Sequence, residues 1–310
     1  MLNFNSAFLR AAAPALGMLG MLGMLGAANV CMAQSTAAPR DAFVHVSADV
    51  RIHVVVAGSA TTMHPLVLIP GWRLTASIWK QQVATFSKKR QVIVVDPRSQ
   101  GESTETAEGD TPEQRARDLD AVLKQLKVGP IVLVGWSQGV QDVAAYVAQF
   151  GTASLAGIVL VDSTVSHGAA EIPKSPGFAA QQLGLFALYA DDPRSYTRGM
   201  MRAIITRPLP QPEFDALVAD ALKTPTAIGE AMLVADLFGV DRSPILAQFD
   251  RPTLVIASGA SLELAAQKAM AATLPQGQFE VIEGAAHAVF VDQPEQFDRL
   301  LAGFLARIEG

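Results

Sequence analysis

An α/β fold, with a mostly parallel central sheet, helices on both faces and an inserted helical segment, follows from three features of the sequence. Short runs that are apolar throughout recur at Leu66–Ile69, Val92–Val95, Ile131–Val134, Ile158–Val161 and Thr253–Ala257, and a strand without alternation belongs in a sheet covered on both faces. Helical patterns separate most of these runs, so neighbouring strands are joined by crossovers and run parallel. Between Ser163 and about Phe249 the alternation lapses into Pro-punctuated helical stretches, which read as a cap inserted between two strands.

Half of the 310 residues are apolar, enough to bury a large core in one domain with an insertion. The formal net charge is −5, and the one basic cluster, Lys88-Lys89-Arg90, reads as the solvated end of a helix; no nucleic-acid partner is implied. At the N-terminus Arg10 precedes Ala11 to Val30, an almost uncharged tract that closes at Cys31-Met32-Ala33 with small residues at the cleavage positions. Residues 1–33 therefore read as a secretory signal peptide, and the Gly/Pro content and marginal length of the tract weigh against a permanent anchor. The expected mature protein is periplasmic or secreted, without a stable membrane anchor. It begins with a flexible leader over 34–40, and it has no thiol, because the single cysteine of the chain lies in the removed segment.

The elements follow in order. Phe43–Val46 and Val50–Ala57 flank Ser47-Ala48-Asp49 and predict an edge hairpin. Leu66–Ile69, extended back to Pro65, is the first buried strand and stops at Pro70-Gly71-Trp72; a helix over Ala76–Phe86 and the strand Val92–Val95 come next. Thr111-Pro112-Glu113 opens a helix to about Lys127, with a capping residue, a Pro in the first turn and an acid near the positive end. The strand from Ile131 feeds a helix over Gln138–Gln149, and Ile158–Val161 ends in Asp162. Cap helices are expected around Phe178–Ala190, Tyr196–Ile205, Glu213–Leu222 and Ala227–Phe238. Apolar residues of the cap (Phe178, Leu183, Leu185, Phe186, Leu188, Tyr189, Met200, Met201) are expected to pack on the open top of the sheet. The core, over 41–162 and 250–310, closes with strand Thr253–Ala257, helix Leu262–Leu274, strand Phe279–Ile282, the loop Glu283–His287 and a last helix from Pro294 to about Ile308; the cap occupies 163–249.

Gly135-Trp136-Ser137-Gln138-Gly139, at the junction of a buried strand and a helix, carries the chemistry. A strand that turns at once into a helix holds the central Ser in a strained backbone and lifts its hydroxyl off the sheet, which only small flanking residues permit. The N–H groups that follow lie at a helix N-terminus, where an oxyanion is favoured. A Ser hydroxyl needs a neighbouring base. Of the five histidines, His45 and His53 fall in the hairpin, His64 in a loop and His167 in the cap, whereas His287 sits in a Gly/Ala-rich loop after a late strand.

These motifs together resemble the α/β-hydrolase superfamily over nearly all of the mature sequence except the cap. Pro70-Gly71-Trp72 is similar to that family's His-Gly-x oxyanion turn, with Pro in place of His. Asp96-Pro97-Arg98-Ser99-Gln100-Gly101-Glu102-Ser103 is similar to its Asp-x-Arg-Gly-x-Gly-x-Ser loop, and Gly284-Ala285-Ala286-His287 with Pro294-Glu295-Gln296-Phe297 to its histidine loop and last helix. The resemblance implies a Ser–His–acid triad with Ser137 as nucleophile and His287 as base, and oxyanion donors on the backbone of Trp72 and Gln138. The sequence departs from the common pattern after Thr253–Ala257, where no Asp is present and Glu263 falls just beyond the usual position. Some branches of the family take the acid from the strand after the nucleophile, where Asp162 stands, and Asp162 is preferred over Glu263. The implied activity is hydrolysis of a small carboxylic ester or lactone through an acyl-enzyme, with no organic cofactor and no metal; Trp136 and the apolar cap residues are expected to face the substrate and point to an apolar acyl or alcohol moiety. A cofactor-free perhydrolase of the same superfamily, or a non-catalytic ligand-binding protein on the same scaffold, are the competing readings. The cap is expected to set specificity and not the chemical step.

Overall fold

The computed structural model describes residues 38–165 and 176–310. The expected signal peptide, the expected leader up to residue 37, His167 and the start of the expected cap lie outside the described residues.

Eight strands form one sheet in the order β1-β2-β4-β3-β5-β6-β7-β8. They span Arg40–His45 (β1), Arg51–Ala57 (β2), Leu66–Ile69 (β3), Val92–Val95 (β4), Ile131–Trp136 (β5), Leu155–Val161 (β6), Thr253–Ser258 (β7) and Gly277–Ile282 (β8). β2 runs antiparallel to both of its neighbours, and every other pair is parallel. Arg40, the last residue of the leader expected over 34–40, is the first residue of β1 and pairs with Val56 in the edge ladder. Every residue of β3, β4, β5 and β7 is buried, which is why these strands read as unbroken apolar runs. Alternate side chains enter two cores, one on each face: Leu66, Leu68, Val132 and Val134 on one side, Val67, Ile69, Ile131 and Leu133 on the other.

The crossover helices are α1 (Lys80–Phe86), preceded by a 3₁₀ turn at Ala76–Trp79, α2 (Pro112–Leu126), α3 (Gln138–Phe150) and α8 (Leu264–Thr273); the single turn α9 (Val289–Asp292) and α10 (Pro294–Glu309) follow β8. Thr111 caps α2 as its sequence indicates, its hydroxyl accepting from Gln114 N at 3.3 Å. Arg90, expected on a solvated helix end, is instead buried and pairs with Glu309 at the end of α10. It ties the last helix to the chain leaving α1, a partnership across more than two hundred residues that local sequence does not display.

Between β6 and β7 lie α4 (Pro176–Asp191), α5 (Pro193–Ile204), α6 (Gln211–Ala221) and α7 (Thr226–Phe238), then a 3₁₀ stretch at Ser243–Gln248. Not all of the apolar cap residues turn inward. Phe186, Tyr189 and Met201 are buried, but Leu183, Leu185 and Leu188 of α4 are exposed. Apolar residues are spread around α4, and among its described side chains only Phe186 and Tyr189, three apart on one face, are buried. Among the described residues, no helix is long and apolar enough to cross a membrane.

Candidate active site

At the end of β5 the chain reverses into α3 through Ser137, whose φ of 55° and ψ of −121° lie outside the regions a side-chain-bearing residue ordinarily adopts. Gly135 makes the turn possible, since a Cβ there would overlap the Gly139 carbonyl. Gly71 brings the preceding turn against the elbow: its Cβ would stand 3.0 Å from Ser137 Cβ and 3.4 Å from Oγ. Ser137 N donates to Val161 O at 3.0 Å, so the elbow is anchored on β6. Gln138 is the first residue of α3, where backbone N–H groups have no partner within the helix. Trp72 directly follows Gly71 on the facing turn. A hydroxyl here would have these two backbone positions around it.

β6 delivers the carboxylate. Asp162 follows its last residue at φ 45° and is 2% exposed. His287 Nδ1–H donates to its Oδ2 at 2.8 Å. Oδ1 accepts from Ser258 N at 2.9 Å and from Gln267 Nε2 at 3.1 Å. Burial, the largest single influence, pushes this carboxyl up, but the hydrogen bond and charge of His287 and the bonds from Ser258 and Gln267 outweigh it and hold Asp162 below the usual carboxylate range. The geometry thus fixes an ionised carboxylate behind one nitrogen of an imidazole. The loop carrying His287 is tied down at several points. Trp136 Nε1 donates to the His287 carbonyl at 3.0 Å, Ser258 Oγ to the Ala285 carbonyl at 2.7 Å, and Ala286 N to Asp292 Oδ2 at 2.8 Å. Because Trp136 immediately precedes Ser137, the first of these bonds draws the histidine loop over the elbow. Glu263 stands at the N-cap of α8, and the carboxylate that meets His287 Nδ1 is that of Asp162.

The other histidines among the described residues are placed elsewhere. His53 is buried with Nδ1 2.8 Å from Asp96 Oδ2 and Nε2 3.0 Å from Asp41 Oδ1. Asp96 also accepts from Ala76 N at 2.6 Å and from Glu102 N at 3.3 Å, and Arg98 pairs with Asp118 through two bonds, so the Asp96–Ser103 loop is a brace for the turn after β3 and not a reacting group. Among the described residues, no group of three or more His, Cys, Asp or Glu side chains is placed to hold a metal ion.

Trp136 corrects an expectation: it is 1% exposed and packs on His287 and Phe290, so it buttresses the loop and does not line a substrate pocket. Two further groups carry little or no signal in the sequence. Arg73 is fully buried, its guanidinium 3.9 Å from the Trp72 ring centre and 4.4 Å from that of Tyr189, with Nη1 donating to Thr197 Oγ1 at 3.0 Å and to Ala221 O at 3.4 Å. Aromatic faces and the negative end of α6 take the place of a carboxylate. Asp236 of α7 is the second: buried, it accepts from Gln138 Nε2 and from Arg115 Nη2, while Arg115 Nε also pairs with Asp142 at 2.8 Å. Burial, above all, pushes both carboxyls up against the pull of Arg115: Asp236 upward, and Asp142, where the charge of Asp236 adds to it, to about 7. The signal available for Asp236 is a lone acid in the apolar run Ala231-Met232-Leu233-Val234-Ala235-Asp236-Leu237-Phe238.

The profile of the alpha/beta hydrolase family matches residues 66–300. The chain belongs to this family. It is 28% identical over 257 residues to a non-heme chloroperoxidase of Kitasatospora aureofaciens, covering 78% of this chain and 92% of that protein. It is also 28% identical over 270 residues to a pimeloyl-[acyl-carrier protein] methyl ester esterase of Edwardsiella ictaluri, covering 77% and 92%. Among solved structures, an esterase from Rhodococcus sp. ECU1013 superposes with a TM-score of 0.74 at 25% identity, over 87% of this chain and 99% of that one. An esterase from Exiguobacterium antarcticum superposes with a TM-score of 0.77 at 20% identity, over 86% and 100%; at that identity the likeness speaks for the fold. The hydrolase fold thus extends over the core and through the cap helices that interrupt it.

Proposed function

We propose that this alpha/beta hydrolase is a serine hydrolase that cleaves a carboxylic ester or lactone through an acyl-enzyme on Ser137. The observation that carries the reading is the 2.8 Å bond from His287 Nδ1 to the buried Asp162, on a loop held over a strained Ser137. Ser137 Oγ attacks the carbonyl carbon, and its proton passes to His287 Nε2. Asp162 keeps the other nitrogen protonated and stabilises the imidazolium. The negative oxygen of the tetrahedral intermediate is received by the N–H groups of Trp72 and Gln138. Collapse breaks the ester C–O bond as His287 returns the proton to the leaving oxygen; in a lactone that oxygen stays tethered to the acyl group. Water then attacks the acyl-enzyme with His287 again as base, releasing the acid and restoring Ser137. The reading is further supported by the esterase named among the curated relatives, and the apolar makeup of α4 and α7 favours an apolar acyl or alcohol moiety. The mature protein acts outside the cytoplasm on this reading, and its exported form begins near Gln34. A panel of p-nitrophenyl esters and acyl lactones tests the activity: turnover by the wild type and none by Ser137→Ala is the expected result, and equal turnover by both refutes it.

Perhydrolysis is the second reading, favoured by the chloroperoxidase relative. It uses the same acyl-enzyme, with hydrogen peroxide in place of water as the attacking nucleophile and a peracid as product. Peroxide-dependent halogenation in acetate buffer, lost in Ser137→Ala, distinguishes it.

A further inference from the structure

Both backbone positions assigned to the oxyanion hole carry side chains that end on the same cap helix. Trp72 Nε1 donates to the Gly229 carbonyl at 2.9 Å, and Gln138 Nε2 donates to Asp236 Oδ2. Gly229 and Asp236 lie seven residues apart on α7, two helical turns along one face. The approach at the first contact is close enough to require glycine, since a Cβ at Gly229 would lie 2.5 Å from Tyr189 Oη and 2.9 Å from Arg73 Cδ. The second is fixed from behind by Arg115, which reaches Asp236 from α2 and Asp142 on α3 at once. Arg73 adds a rivet at the first: its guanidinium lies against both the Trp72 and the Tyr189 ring, which themselves meet edge to face.

We infer that α7 is a positioning helix that holds the two halves of the oxyanion hole in register, with Asp236 and the Gly229 carbonyl as its two contact points. The inference rests on the proposed acyl transfer at Ser137 and goes beyond it, because it gives part of the cap a role in the chemical step. Trp72 belongs to the turn after β3 and Gln138 to α3; the ladder between β3 and β5 ends at the Ile69–Gly135 pair, three residues short of each donor. A rigid helix bonded to both adds a constraint beyond that pair. Two N–H groups stabilise an oxyanion only when both point at the place it will occupy, so a slackened span acts on the transition state more than on bound substrate.

The test compares Asp236→Ala, Asp236→Asn and Trp72→Phe with the wild type on one p-nitrophenyl ester, together with the inhibition constant of an alkyl boronic acid, whose tetrahedral serine adduct places an oxygen in the hole. Asp236→Ala is expected to lower kcat by roughly tenfold to a hundredfold, less than the ~10²–10³ lost when a donor is removed outright, to leave KM within about threefold, and to weaken the boronate in parallel. Asp236→Asn is expected to restore kcat to within about threefold of wild type. Gln138 Oε1 has no hydrogen-bond partner among the described residues, so a flip of that amide lets it accept from the new asparagine N–H while the asparagine oxygen still accepts from Arg115. Trp72→Phe removes the bond to Gly229 and keeps an aromatic face for Arg73, and it is expected to show the same split between kcat and KM. Unchanged kcat and boronate affinity in folded Asp236→Ala and Trp72→Phe overturn the clamp. So does an equal rise in KM, which marks a substrate-binding role, or a loss in Asp236→Asn as deep as that in Asp236→Ala. Should Asp236→Ala not fold, Trp72→Phe decides alone. Labelling of Ser137 by a fluorophosphonate in the wild type separates the two claims: labelling without the kcat effects removes the clamp only, and no labelling removes the acyl-transfer reading beneath it.

Discussion

Replacing Asp162 with Asn changes one atom at the centre of the site and makes a sharp demand on the geometry. The introduced amide keeps its oxygen toward Ser258 N and Gln267 Nε2, the donors that Asp162 Oδ1 accepts from at 2.9 and 3.1 Å. That choice aims the amide N–H₂ at His287 Nδ1, where Oδ2 now stands at 2.8 Å. A donor there makes Nδ1 an acceptor and moves the imidazole proton to the nitrogen that has to receive the proton of Ser137. The site is nearly closed to solvent at Asp162, 2% exposed, so water does not relieve the mismatch. An Asp-to-Asn change in the same role in a serine protease lowers kcat by about 10⁴, a barrier rise of roughly 5 kcal/mol, and a loss of about that size is expected here. Steady-state kinetics on p-nitrophenyl acetate, with circular dichroism to show an intact fold, makes the measurement, and Glu263→Gln serves as the control, with a change below about tenfold, or roughly 1.4 kcal/mol. A folded Asp162→Asn protein that retains more than about a tenth of wild-type kcat, or a deeper loss in Glu263→Gln, refutes the reasoning.

Other outcomes follow from the packing. Burial, the largest influence on His53, lowers its pKa, but the hydrogen bonds and charges of Asp96 and then Asp41 outweigh it and raise it above 6.5; a raised value means stability that is complete below the unfolded pKa and lost as pH rises through the folded one. The melting-temperature gap between wild type and His53→Gln is therefore expected to be widest near about pH 6 and to close toward about pH 9, beyond the ordinary imidazole range; a gap that widens with pH contradicts the pairing. Gly71→Ala places a methyl 3.0 Å from Ser137 Cβ and is expected to cut kcat by about tenfold or more with little change in thermal stability, in line with the cost of small displacements of reacting groups; unchanged kinetics remove the oxyanion turn from the site. Tyr189→Ala empties a place that is 1% exposed beside Arg73 and is expected to cost about 3 kcal/mol of stability in chemical denaturation, with uniform loss across ester chain lengths; a change only in chain-length ranking shows that the ring lines the substrate site.

The strands were the most legible part of the chain, for a physical reason: β3, β4 and β5 are buried on both faces, and burial on both faces writes itself as an unbroken apolar run. The elbow was legible because steric crowding at Gly135 admits no other residue. Asp162 was visible because the end of β6 is a topological position and needs no knowledge of side chains far away. What local sequence did not show are contacts made across the fold. Arg90 looks like its lysine neighbours until Glu309 arrives from the C-terminus. Arg73 has no carboxylate to announce it, since aromatic rings and a helix end surround it. Trp136 was expected to face substrate, yet its indole N–H is bound to the His287 carbonyl. The cap is where composition misled most, because Leu183, Leu185 and Leu188 are as apolar as Phe186 and only the geometry of α4 decides which of them turn inward. Asp236 carried a faint signal, an acid alone in an apolar helix, whose meaning depends on Gln138 and Arg115.

The central claim is that Ser137 is a nucleophile activated by His287, and covalent labelling tests it most directly. The protein is treated with a fluorophosphonate, and intact mass spectrometry followed by peptide mapping locates the adduct. The account predicts one adduct per chain, on Ser137, formed much more slowly in His287→Ala and absent in Ser137→Ala. A wild-type protein that stays unlabelled while folded, or an adduct on another residue, contradicts it.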